Sequence, residues 1–204
     1  DADAAFAEIR NEIAQGRGAE VGPRLLEIAE SDKDPMNRIK CLSLLKVIDV
    51  SGVSKEILRM LLEDLPDDRA TLVQVAGALR GLEYPSSALS ILKEMDQDDS
   101  IIRMSALCLI DLEEYEDAMA KADQIREVTP FDRVMLTEIK SALGMHNEAI
   151  GIATELLEEF PQNYEVRRAY VSALMLGGKD KEAARYARAA VKDKTADSNA
   201  IAAY

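Results

Sequence analysis

The sequence predicts an all-α chain of about six helix-turn-helix pairs plus a C-terminal helix, and three observations carry that prediction. Apolar residues recur at three- and four-residue intervals, as in Leu42, Leu45, Val47 and Ile48, then Ile57, Leu58, Leu61 and Leu62. Ile101, Met104, Leu107 and Ile110 continue the pattern, as do Ile150, Ala153, Leu156 and Leu157. These are helical periods, and no sustained alternation of period two competes with them. Breakers then punctuate the chain about every 12 to 18 residues: Gly16 with Gly18, Pro35, Gly52, Pro66, Pro85, Pro130, Gly144, Pro161, and Gly177 with Gly178. Finally, two segments near the C-terminus superpose residue on residue at a constant offset.

The offset is 34 residues, which sets Gly144 over Gly178, Ala149 over Ala183, Ala153 over Ala187 and Pro161 over Thr195. The same frame extends towards the N-terminus. Its turn position falls at Gly18, Asp49, Glu83, Glu113, Gly144 and Gly178. A small position early in the second helix falls at Pro23, Ser54, Ala88, Ala118, Ala149 and Ala183, and a closing position at Pro35, Pro66, Ser100, Pro130, Pro161 and Thr195. The small position of the first helix gives Ala76 and Ala106, with Leu42, Thr137 and Val171 elsewhere. Small contact residues let two helices approach to the short end of the ~8–10 Å packing range. Gly tolerates the left-handed residue that ends a helix, and Pro starts the next helix well.

A Gly at the turn, an Ala early in the second helix and a closing Pro make this unit resemble the tetratricopeptide repeat. The resemblance implies a right-handed α–α superhelix forming one domain over residues 1–204. Its units are roughly 4–35, 35–66, 69–100, 99–130, 130–161 and 164–195, followed by a final helix at 196–204. The aromatic expected early in the first helix is missing throughout. The first two units match by spacing more than by residue, and residues 34–48 also look like a HEAT-type helix, itself half of a stacked pair.

Composition narrows the function. The formal charge is −13, with 38 acidic against 25 basic residues. That field repels nucleic acid and anionic lipid over a Debye length of roughly 8 Å. Arg167, Arg168, Arg185 and Arg188 form the densest basic cluster, but Glu165, Glu182 and Asp193 are interleaved with them. No segment approaches the ~20 apolar residues of a membrane span. Cys41 and Cys108 sit in separate apolar helical runs, so both are expected to be buried, reduced thiols of a cytoplasmic protein. The chain opens on Asp1 rather than Met, so a trimmed start or an excerpt of a longer protein is expected.

Catalytic and metal chemistry finds no foothold in the sequence. His146 is the one histidine and is expected to be an exposed turn residue. No CxxC, HExxH, P-loop or GxGxxG pattern occurs. A calcium loop starting at Asp96 would need Gly and Glu where Ile101 and Leu107 stand. Asp98, Asp99 and Ser100 read instead as a helix start, as do Glu113, Glu114, Glu116 and Asp117. No catalytic residue, cofactor or metal is therefore expected.

The resemblance implies that the first helix of each unit lines a concave surface that receives a protein or peptide. Projecting the frame gives Gln74, Gly77 and Arg80, then Arg103, Leu107 and Ile110. Val134, Glu138 and Ser141 follow, then Arg168, Ser172 and Met175, with Met104 and Met135 beside the row. The Lys and Asn set by which chaperone-associated members clasp a terminal carboxylate is absent, with Thr137, Glu138 and Lys140 in its neighbourhood. The expected function is thus a scaffold or adaptor whose acidic charge suits a partner with a basic patch. The alternative is a regulatory or assembly segment of a larger protein that forms homo-oligomers through its terminal helices.

Overall fold

Side-chain caps open several of the described helices. Asp68 accepts from the Thr71 N–H at 2.8 Å, Asp98 from the N–H groups of Ser100 and Ile101 at 3.0 Å each, and Asn163 from that of Val166 at 3.1 Å. Thr129 and Asp132 form a reciprocal capping box. Pro35, Pro85 and Pro130 are first residues of helices, where the missing N–H costs nothing. Each cap is worth about 1 kcal/mol.

The computed structural model describes residues 2–48 and 51–192, and every regular element among them is a helix. Two compact units result. Asp1–Met95 contains α1 (Ala2–Ala14), α2 (Val21–Ser31), α3 (Pro35–Ile48), α4 (Ser51–Glu63), α5 (Arg69–Gly81) and α6 (Pro85–Lys93). Asp96–Tyr204 contains α7 (Asp99–Asp111), α8 (Tyr115–Ala122), α9 (Pro130–Ala142), α10 (His146–Glu159), α11 (Tyr164–Leu176) and α12 (Asp180–Lys192). Within each unit, successive helices pack as pairs, and α3 also meets α5 as α9 meets α11. The final helix expected at 196–204 and the frame positions Asp49 and Thr195 lie outside the described residues.

The repeat frame is visible in the backbone. Positive φ occurs at Glu83 (66°), Glu113 (59°), Gly144 (75°) and Gly178 (72°), which are the turn positions of four units. In the first unit the left-handed residue is Gly16 (φ 79°) and not Gly18, because a 3₁₀ turn, Gly18–Glu20, is inserted before α2. Gly18 serves close approach instead: a Cβ there would stand 2.7 Å from Ile48 Cγ2.

The two glutamates hold a conformation that costs an ordinary L-residue roughly 1–2 kcal/mol, against roughly 0.5–1 kcal/mol of extra chain entropy for glycine. Glu113→Gly is therefore expected to raise stability by about 0.5–1 kcal/mol, and Gly144→Ala to lower it by about 1 kcal/mol. Urea midpoints at constant m-value measure both, and a lower midpoint for Glu113→Gly would contradict the strain.

Small residues do the packing the frame assigns to them. Ala76 and Ala106 of the first helices, and Ala88, Ala118, Ala149 and Ala183 of the second, are all buried. Ala149, Ala153 and Ala173 form one cluster flanked by Ile150 and Tyr170. The first two units depart from this pattern. Pro23 is exposed while its neighbour Gly22 is buried, Ser54 is only half-buried, and Gly52 opens α4 rather than breaking a helix. Packing there rests on Leu25 and Ala29, then Ile57 and Leu61.

Cys41 and Cys108 are both buried and outside any disulfide, as expected. Burial, and then the Asp32 carboxylate, push the Cys41 thiol up to about 12, so it carries no thiolate reactivity. His146 departs from its expected exposure: it is the first residue of α10, half-buried, and its Cβ approaches Gly177.

Candidate functional site

A groove of about 190 Å³ opens in the C-terminal unit between α9, α11 and the start of α8. Helix α9 contributes Val134, Glu138 and Ala142 to one wall, and α11 contributes Arg168, Ser172 and Leu176 to the other. These six are the same three repeat positions taken from two successive units, since each residue of the second set lies 34 beyond its counterpart. The periodicity of four places each trio on one helical face. Thr137, Ser141 and Ala169 add small side chains, and Tyr115, the first residue of α8, adds an aromatic one. From Val134 to Ala142 the groove runs roughly 12 Å along the helix, which matches three to four residues of extended chain.

The charges in the groove are unevenly matched. Arg168 is exposed but already paired, with its Nη2 2.9 Å and its Nε 3.1 Å from Glu165 Oε2. The exposed carboxylate of Glu138 has no cation within ion-pair distance among the described residues. Lys140, its neighbour along α9, pairs with Glu148 at 2.7 Å. Burial first, and then the Glu113 and Glu138 carboxylates, raise the Tyr115 phenol above its ordinary pKa. One hydrogen-bonding group is also unsatisfied. Ser141 is 4% exposed and its Oγ has no partner among the described residues. Thr137, one turn earlier, donates its hydroxyl to the Arg133 carbonyl at 2.9 Å.

The structure brings together Glu138, Arg168 and Ser172 from the row projected from sequence, together with Val134 and Ser141. Met175 lies beside them, 47% exposed, while the adjacent Leu176 is the residue that lines the groove. Met135 is withdrawn from any surface: it is 3% exposed and belongs to the core.

Arg103 is committed to internal bonds. Its Nε donates to Asp132 Oδ1 at 2.7 Å and its Nη2 to the Glu127 carbonyl at 2.7 Å. Met104 and Leu107 are half-buried on α7, and Ile110 is buried. In the N-terminal unit, Gln74 and Gly77 are exposed on α5 and Arg80 is half-buried. Tyr115 was not in the projected row, which followed first helices only. Its signal was available: an aromatic just after the turn, three residues before the small position Ala118, stands where the second helix begins.

No protein-family model and no curated protein matches this sequence. Solved structures do resemble it. YrrB, described as a TPR protein with an unusual peptide-binding site, aligns at 15% identity and a TM-score of 0.53 over 87% of this chain and 95% of its own. A tetratricopeptide repeat protein from Parabacteroides merdae ATCC 43184 aligns at 16% identity and a TM-score of 0.60 over 98% and 82%. PilF of Pseudomonas aeruginosa aligns at 14% identity and a TM-score of 0.50 over 98% and 94%. At such identities the likeness speaks for fold, and the fold is a tetratricopeptide-like all-α helical repeat.

Proposed function

We propose that this chain is a cytoplasmic interaction scaffold that binds, without catalysis, an extended segment of a partner protein in the groove between α9 and α11. The supporting observation is the groove itself: equivalent positions of two repeat units converge on a cleft that holds a carboxylate and a hydroxyl without partners among the described residues. Its length favours an extended segment, since the roughly 12 Å run along α9 matches three to four residues of extended chain. The net charge of −13 favours a partner with a basic patch, chiefly by speeding encounter and suppressing acidic competitors.

Ser172→Trp tests the reading, because residue 172 is exposed and its enlargement fills the groove without disturbing the core. Both forms would be used to capture proteins from a lysate of the source organism. A protein retained by the wild type and lost by the variant is the expected result. Equal retention would move the interface elsewhere on the chain, and recovery of the chain alone would favour self-assembly.

A further inference from the structure

The groove carries one negative charge that no described residue balances. Arg168 is offset by Glu165, whereas Glu138 faces the groove without a counter-ion among the described residues. Glu138 and Glu113 both act electrostatically on Tyr115, whose ring lines the same cleft. A carboxylate and an aromatic ring that line one cleft can attract a cation twice, by charge and by the ring quadrupole. The second observation is independent of charge. Ser141 lines the groove, and its Oγ is buried without a hydrogen-bond partner among the described residues, a deficit that a ligand's main chain can remedy once the hydroxyl turns towards the cleft. The remaining lining residues near it, Thr137, Ala142, Ala169 and Ser172, are small enough to let a main chain approach.

We propose that Glu138 and Tyr115 form a subsite for one lysine or arginine side chain of an extended peptide, while Ser141 bonds the peptide's main chain. The inference rests on the reading of the groove as the partner site and adds its chemical preference. Glu138 holds the cation, Tyr115 lies along its aliphatic stem, and Arg168 with Glu165 closes the opposite wall as a neutral pair. The specificity is for a basic residue within a segment, and a free small cation would lack the main-chain bond.

A randomised octapeptide mixture passed over the immobilised full chain, with bound peptides sequenced by mass spectrometry, tests this directly. The retained peptides should be enriched in Lys or Arg at one position. Glu138→Gln should cut that enrichment about two- to five-fold, as expected for the loss of one exposed ion pair while Tyr115 stays in place. Glu138→Arg should shift the preference towards Asp or Glu. Ser141→Ala should weaken retention of all peptides without changing the preferred residue. Circular dichroism of each variant checks that the helices persist. Peptides retained without a basic preference, or with one indifferent to Glu138→Gln, would overturn the subsite and leave the groove standing. Retention of none by the wild type would overturn both.

Discussion

Asp132→Asn is expected to destabilise the C-terminal unit by about 2–4 kcal/mol, although the substitution is nearly isosteric. Asp132 is 0% exposed. One carboxylate oxygen takes the Arg103 Nε–H at 2.7 Å, and the other takes the N–H and hydroxyl of Thr129 at 2.8 Å each. The residue therefore closes the cap of α9 and ties α7 to it. Removing one partner of a buried ion pair costs roughly 3–5 kcal/mol. Here the loss is smaller, because Arg103 keeps the Glu127 carbonyl and is itself partly exposed.

The pH dependence separates charge from shape. Burial pushes the Asp132 carboxyl up, but the bonds from Arg103 and Thr129 outweigh it and hold its pKa below the ordinary aspartate value. A depressed native pKa gives stability that is complete above the unfolded value near pH 4 and is lost as pH falls through the native value. The gap between wild type and Asp132→Asn, measured by urea denaturation, should thus be wide at pH 7 and narrow below pH 4. A gap that stays constant with pH would mean that the carboxylate charge contributes nothing.

The sequence spoke clearly wherever repeat geometry demands one residue type. Gly144 and Gly178 announce left-handed turns, and Ala149 and Ala183 announce close helix contacts, because few other residues fit. Glu83 and Glu113 stand at equivalent turns without the glycine, so only the spacing revealed them. In the first two units the inserted 3₁₀ turn and the exposed Pro23 defeat the frame, since packing there depends on ordinary apolar residues that leave no positional signature. The groove was half legible. Its walls follow the repeat, so Glu138, Arg168 and Ser172 could be projected. Tyr115 enters from a second helix, and the pairing of Arg168 with Glu165 depends on rotamers that spacing does not encode. Arg103 was misleading for the same reason: an arginine on a repeat face looks like a reader until its buried acceptor, Asp132, is seen.

Arg38 raises the same ambiguity in the N-terminal unit and yields the other large expected effect. Its side chain, 3% exposed on α3, donates Nε to the Ala29 carbonyl at 3.0 Å and Nη1 to the Met60 carbonyl at 2.8 Å. Both guanidinium termini also reach Asp64 Oδ2 at 3.1 Å. Ala29 and Met60 lie in the last turns of α2 and α4, where the helix dipole favours a cation, and the Met60 carbonyl also takes the Asp64 N–H at 3.1 Å. One buried guanidinium therefore closes two helix ends. Replacing a whole buried ion pair by apolar residues is often neutral, but that argument fails here because the backbone carbonyls cannot be removed with their donor. Arg38→Met should fill the volume, leave the Ala29 carbonyl without its donor and Met60 with the Asp64 N–H alone, and cost about 1–3 kcal/mol. Arg38→Lys keeps the charge but loses the planar fork, so it should fall between wild type and Arg38→Met. Thermal and urea unfolding of the three proteins would establish that order, and an Arg38→Met chain as stable as Arg38→Lys would show that the carbonyls find water instead.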